Sequence, residues 1–150
     1  MIFVKIGLVL VSFLGMEGVA WFTHKYIMHG WLWSWHESHH IPHKGFFEKN
    51  DLFSLVFSLV AMALVMSGVQ WPSVWYLTYI GLGVTLYGIA YFVFHDVIVH
   101  RRYKHKWRFK SAYMRKIIRL HKIHHKYLKK DGAEAFGFLF ASKSLDKHLD

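Results

Sequence analysis

No cysteine occurs among the 150 residues, which excludes disulfides, iron–sulfur clusters and thiolate zinc sites. Acidic residues are scarce: nine Asp and Glu stand against 19 Lys and Arg, a formal net charge of +10 with histidine neutral. Between Asp51 and Asp96 charge is missing altogether, since 44 consecutive positions carry no Lys, Arg, Asp or Glu and a single histidine, His95. Charged residues make up 19% of the chain, against about a quarter in ordinary soluble domains, while hydrophobic residues reach 54%. That balance excludes disorder and does not suit a water-soluble fold. The length accommodates one domain. What is present in excess is aromatic (13 Phe, 8 Tyr and 7 Trp) and histidine, of which there are 13.

An apolar bilayer core about 30 Å thick needs roughly 20 helical residues at about 1.5 Å each. Residues 52–70 and 74–94 meet that requirement without a charge. Gln70-Trp-Pro-Ser73 joins them; its proline ends a helix and its tryptophan suits a membrane interface. The pair reads as a membrane-crossing hairpin, with Gly81, Gly83 and Gly88 offering close-packing sites. Ile2–Phe22 is a third span, with Lys5 near its start and Glu17 near its end. A cleaved signal peptide is the competing reading of that segment, and residues 18–20 loosely resemble a cleavage site. Tryptophan and the first histidine follow at once, which suits an anchor better.

Thirteen of the 19 Lys and Arg residues fall between Arg101 and Lys130, which places that segment in the cytoplasm by the positive-inside rule. The hairpin then returns residues 23–51 to the same side, and three spans leave the N-terminus outside. Residues 133–141, with Phe136, Phe138 and Phe140, are a candidate for a fourth, shallow or re-entrant segment. The expected fold is all-α: an integral membrane protein with three membrane helices, or four, under a cytoplasmic His-rich helical cap. Juxtamembrane cations beside anionic lipid account for the basic stretch without nucleic acid.

Twelve of the 13 histidines lie in two groups with one grammar, a His-x4-His pair followed by a His-x2-His-His triplet. His24-Lys-Tyr-Ile-Met-His29 is matched by His95-Asp-Val-Ile-Val-His100, and His36-Glu-Ser-His39-His40 by His121-Lys-Ile-His124-His125. At about 100° per residue, positions i, i+3 and i+4 of a helix share a stripe about 100° wide. Three imidazoles of one triplet therefore face the same way, and His29 joins them if a single helix runs from 29 to 41. The x4 pairs diverge by about 140° on an ideal helix. A local π-bulge brings such a pair together, or its members serve different metals, or the helix ends between them. His43 follows Pro42 and is a weaker candidate; His105 and His148 read as interfacial filler.

Ten matched histidines exceed one ion's need, so two ions are expected. Imidazole suits Zn, Fe, Cu and Ni. Acidic ligands are nearly absent, which excludes a Glu-rich di-iron bundle built on Glu-x-x-His pairs. His36-Glu37-Ser38-His39-His40 also satisfies His-Glu-x-x-His, in which two histidines hold zinc and the glutamate is general base of a metalloprotease. That reading leaves His39 and the whole second group idle, and Lys122 stands where the second triplet would need its glutamate.

The order of these boxes resembles the membrane fatty-acid hydroxylase superfamily of non-haem di-iron oxygenases, and within it the bacterial β-carotene hydroxylases. The likeness rests on His24-Lys-Tyr-Ile-Met-His-Gly-Trp31, Trp35-His-Glu-Ser-His-His40, Asn50-Asp-Leu52, Tyr91-Phe-Val-Phe-His-Asp96, His121-Lys-Ile-His-His125 and Phe136-Gly-Phe-Leu139. It spans roughly residues 16–140. It implies a single membrane-embedded hydroxylase domain and two iron ions, which zinc can replace in a purified sample. The implied ligands are His24, His29, His36, His39, His40, His95, His100, His121, His124 and His125. The implied reaction uses O2 to hydroxylate carbon 3 of the β-ionone ring, taking β-carotene through β-cryptoxanthin to zeaxanthin. A related fatty-acyl or sterol hydroxylase would share every histidine box. A desaturase has similar boxes, and a membrane haem protein needs far fewer histidines.

Such a substrate dissolves in the bilayer, and aromatic residues flank both x4 pairs. Trp21, Tyr26, Trp31 and Phe92 are candidates to hold its ring, or equally members of an interfacial belt. Glu17 lies seven residues before His24, nearly on the same helical face, and Glu17 and Asp96 are candidates to orient ligand imidazoles. No nucleotide or flavin pattern is visible, so electrons are expected from a ferredoxin-type donor and its reductase, docking on the cationic 101–130 stretch.

Overall fold

The structure is a computed structural model that describes residues 1–41, 45–126 and 136–140. The chain begins with helix α1, Ile2–Phe22, and runs without a break into a π-helical segment, Thr23–Trp31. A short helix α2, Trp33–His40, follows, then the long α3, Asp51–Gln70. Pro72–Val74 forms a 3₁₀ turn, and α4, Tyr76–Phe92, continues into a second π-helical segment, Val93–Val99. Helix α5, Ala112–His124, closes the described order, and no strand occurs among the described residues.

Three helical stretches are long and apolar enough to cross a membrane: Ile2–Trp31, Asp51–Gln70 and Tyr76–Val99. They are the three expected from the charge-free runs. Their outward faces are what lipid requires, with Leu10, Val11, Leu14, Leu55, Leu59 and Met66 exposed.

Helix α4 is the middle member, and small residues set its distance from both neighbours. A Cβ on Gly83 would fall 2.6 Å from the Val9 carbonyl oxygen of α1, and one on Gly81 would fall 2.9 Å from the Ala61 carbonyl oxygen of α3. Gly88, expected as a third contact, meets nothing within 4 Å. At the end of the third span, Tyr87, Phe94, Val99, Ile117 and Phe138 form a buried core that fastens α5 to the second π-segment. Helix α5 starts at Ser111, whose Oγ accepts from the Met114 N–H, and it turns Ile117, Leu120, His121 and His124 inward while Arg115, Arg119 and Lys122 stay exposed.

One expectation changes here. A single helix from 29 to 41 does not form: Gly30 leaves helical geometry at φ −123°, ψ −113°, and Leu32 at φ −105°, ψ 30° starts a new direction. Residues 136–140, within the 133–141 candidate for a shallow or re-entrant segment, are not helical. They lie as a strap on the bundle, with Phe136 and Phe138 buried. The remainder of the 133–141 candidate, together with His43 and His148, lies outside the described residues.

Candidate metal centre

The π-helical segments decide how the x4 pairs are used. Leu32 N–H donates to Ile27 O and His100 N–H to His95 O, each five residues back. That wider turn returns residue i+5 to the face of residue i. The His24 and His29 rings accordingly stack with centroids 5.3 Å apart, and those of His95 and His100 approach to 4.5 Å. Of the three arrangements open to the sequence, the π-turn is the one adopted, twice.

The triplets divide. On a helix, residues i and i+4 differ by about 40°, while i+3 sits about 60° to the other side of i. His36 and His40 therefore point one way and His39 the other; His121 and His125 share a direction that His124 does not. Two clusters result: His24, His29, His36, His40 and His124, and His39, His95, His100, His121 and His125. Each triplet sends its middle histidine to the opposite cluster. Within each cluster one nitrogen per ring lies within 4.8 Å of all the others.

The donor chemistry fits a cation. His24 Nδ1 donates to the Phe136 carbonyl at 3.0 Å and His36 Nδ1 to Asn50 Oδ1 at 2.7 Å, so the lone pairs of both neutral rings sit on Nε2. Those two Nε2 atoms face each other at 3.0 Å. The same holds in the second cluster: His39 Nδ1 meets Glu48 Oε2 at 2.8 Å, His95 Nδ1 meets Asp96 Oδ2 at 3.3 Å, and their Nε2 atoms are 3.0 Å apart. Opposed lone pairs at that distance repel unless a cation lies beside both. Two nitrogens on one ion at about 2.1 Å and a right angle would stand about 3.0 Å apart. Five nitrogens per cluster exceed the four of a closed tetrahedral zinc site.

Burial, with the neighbouring rings adding to it, keeps these imidazoles neutral and ready to ligate. It holds His36 down to about 2, His100 to about 3 and His40 to about 4, with His39, His121 and His125 also held well below the usual histidine range. Glu37 of the His-Glu-x-x-His string is exposed, and His39 serves the other cluster. The arrangement does not set a general base beside a zinc held by His36 and His40.

Below the first cluster lies a cavity of about 550 Å³ between α1, α3 and α4, walled by Met16, Phe57, Met62, Gly88 and Phe92 among others. His24 is the one cluster histidine in its wall. Of the four aromatic candidates for substrate contact, Phe92 lines this space. Trp21 and Tyr26 turn outward beneath Lys25, whose Nζ lies 5.2 and 5.7 Å from their rings, and Trp31 is 89% exposed.

Asp96 Oδ2 lies 3.3 Å from His95 Nδ1. Glu17 is buried and accepts from Tyr87 Oη at 2.7 Å and from the N–H groups of Leu139 and Phe140 at 2.8 and 3.1 Å. It therefore reaches His24 at one remove, by fixing the strap whose Phe136 carbonyl orients that ring. Sequence reasoning missed Glu48, Asn50, Asp51, Tyr87 and Arg102. Asn50-Asp-Leu52 was visible as a string without a role, whereas nothing local marked Glu48 or Arg102.

A family model described as fatty acid hydroxylase matches residues 9–148. The chain belongs to that family. Among curated relatives, a β-carotene hydroxylase from Pseudescherichia vulneris is 48% identical over 139 residues, covering 93% of this chain and 78% of its own. β-Carotene hydroxylases from Pantoea ananas and Paracoccus sp. (strain N81106 / MBIC 01143) are 43% and 41% identical, each across 89% of this chain and 75% and 82% of theirs. No solved structure gives a significant match to this hydroxylase-family chain.

Proposed function

We propose that this chain is an O2-dependent hydroxylase of carotenoid end groups, acting at carbon 3 of the β-ionone ring and taking β-carotene through β-cryptoxanthin to zeaxanthin. One observation carries the reading: His24 belongs both to a five-histidine cluster and to the wall of an apolar cavity that opens among membrane helices. The names of the similar proteins supply the substrate class. A single membrane-embedded domain, residues 1–150, performs the reaction.

Two iron ions, held by the ten histidines, supply activation of O2 for attack on an unactivated C–H bond. The chain does the rest. Met16, Phe57 and Phe92 exclude water and grip an apolar ring, and Gly88 leaves room for it. Phe136 O, Asn50, Glu48 and Asp96 take the outer N–H of their histidines and so keep every inward Nε2 of those four rings free to ligate. Electrons come from a ferredoxin-type protein and its reductase, attracted by the cations on α5 and the segment before it. In this reading the histidine cap faces the cytoplasm of a bacterial inner membrane and the N-terminus lies outside. Rate insensitive to ionic strength in a ferredoxin-driven assay would remove the electrostatic docking.

The test is a pigment profile. Expressed in a bacterium that accumulates β-carotene, the chain is expected to yield mono- and dihydroxylated products, lost in His39→Ala and in His124→Ala. Untouched β-carotene beside folded, iron-loaded protein would transfer the assignment to fatty-acyl or sterol chains.

A further inference from the structure

Arg102 lies in none of the histidine boxes, yet it bonds Asp96, which meets His95, and Asp51, which holds the backbone of Glu48. We infer that Arg102 is a positioning residue for the second cluster's metal ion, clasping Asp96, which aims His95, and Asp51, which holds the Glu48 that aims His39. The inference rests on the two-ion reading above.

The chain is built to deliver this side chain. After the second π-segment, Arg101 takes a left-handed φ of 53°, an uncommon conformation for a residue with a Cβ, and the Arg102 N–H then bonds the Asp96 carbonyl at 3.0 Å. The guanidinium, only 13% exposed, is thereby turned back under the cluster. Nη1 donates to Asp96 Oδ1 at 2.7 Å and to Asp51 Oδ1 at 2.8 Å, Nη2 donates to Asp51 Oδ2 at 2.8 Å, and Nη2 also bonds the Phe46 carbonyl. Both aspartates use their other bonds toward the histidines. Asp96 Oδ2 faces His95 Nδ1, while Asp51 Oδ2 accepts the Glu48 N–H at 3.0 Å and Glu48 Oε2 meets His39 Nδ1. One planar cation thus fixes two routes, Asp96 to His95 and Asp51 through Glu48 to His39. These are the two rings whose Nε2 atoms oppose each other at 3.0 Å.

Remove the charge and the two aspartates that share Nη1 repel each other across a partly buried space. Asp96 then leaves His95, the loop holding Glu48 loosens, and both rings lose their fixed aim. His24 of the first cluster, anchored by Phe136 O, is on neither route, and Asn50, which anchors His36 from the same loop, is held separately by its N–H bond to Ser38 Oγ. Loss of an outer partner of a ligating histidine typically lowers metal affinity about 10- to 100-fold.

The experiment titrates the purified full chain in detergent, stripped of metal, with cobalt(II), read by its visible absorption and by bound metal per chain. The unmutated protein is expected to take up two ions. Arg102→Gln should keep one step and weaken the other at least tenfold, with partial recovery in Arg102→Lys. Glu48→Gln, which leaves the clasp itself intact, should weaken that same step. An unchanged two-step titration in Arg102→Gln overturns the inference, and so does equal weakening of both steps in Arg102→Gln and Glu48→Gln. An unmutated protein that binds no cobalt, zinc or iron brings down the two-ion reading itself and this inference with it.

Discussion

The two histidine clusters are built from the same parts and face different surroundings. Each takes a π-turn pair, the i and i+4 members of one triplet, and the middle member of the other triplet. The first touches the cavity through His24; no histidine of the second lines it. Two rings of the first are anchored on an amide and a backbone carbonyl, and two of the second on carboxylates, Asp96 bonded to Arg102 and Glu48 linked to it through Asp51. The repeat in the sequence is thus a repeat of ligand supply, and the difference between the sites is written outside it. The first cluster borders the cavity, while the second sits behind a polar clasp.

Breaking the exchange between clusters should have the largest effect. His39→Ala and His124→Ala each remove a ligand from the cluster opposite their own triplet. Product formation is expected to fall by more than the roughly 100-fold that loss of an outer partner alone can cost. The pairing is checked by double variants in the cobalt titration. His39→Ala with Arg102→Gln should be far less than additive because both act on one cluster, whereas His124→Ala with Arg102→Gln should be close to additive. The reverse pattern would restore the simple grouping by triplet.

The cavity offers the next test. Gly88→Leu places a side chain in the space that its missing Cβ leaves open. A pocket misfit of about 1–3 kcal/mol corresponds to roughly 10- to 200-fold in rate. Hydroxylation should fall within that range while bound metal per chain stays the same. Trp31→Ala, at an exposed ring, should change neither.

How far the sequence reached is clearest at the same places. The spans were legible because a charge-free run of sufficient length has one stable solution in lipid, and α1 ends at the residue expected. That the ten histidines of the two clusters come together was legible as well, because their kind and spacing repeat. Which histidine joins which cluster was not, since i+3 departs from i and i+4 by an angle whose consequence depends on where the partner helix lies. Arg102 and Glu48 were hidden for another reason. Their roles depend on the left-handed turn at Arg101 and on a loop packing against α3, and neither has a periodicity to read. Gly30 was read as part of a helix because its neighbours fit one, although it supplies the bend that frees α2 to turn.

Acid should separate protein with metal from protein without it. Burial depresses His40 to about 4, His100 to about 3 and His36 to about 2, whereas the same groups in an unfolded chain titrate near the ordinary histidine value of about 6.5. Below that value the unfolded chain binds protons that the folded chain refuses. Stability present above about pH 6.5 is therefore lost as pH falls from there through about 4, 3 and 2. Metal-free protein should show a Tm that drops between pH 7.5 and 5, and added cobalt should reduce the drop. A flat Tm across that window would mean the imidazoles are already charged or exposed in the folded state.

The smallest expected effect concerns the strap that anchors His24. A Cβ on Gly137 would fall 2.3 Å from Glu17 Oε1, closer than any relaxed contact allows, so in Gly137→Ala the Glu17 carboxylate or the strap must give way. The Leu139 and Phe140 N–H bonds to Glu17 then lengthen, and the Phe136 carbonyl moves with them off His24. Overpacking of this kind costs about 1–3 kcal/mol, measurable as a lower Tm. If Glu17 acts on the first cluster through the strap, Gly137→Ala and Glu17→Gln should both weaken its cobalt step, near the roughly tenfold lower end of outer-partner losses, and leave the Arg102-dependent step alone. Removing the clash in Glu17→Ala/Gly137→Ala should make the pair less than additive in Tm. Weakening of the Arg102-dependent step instead would show that the two anchors are mechanically joined, and the contrast between the clusters would then lie in the cavity alone.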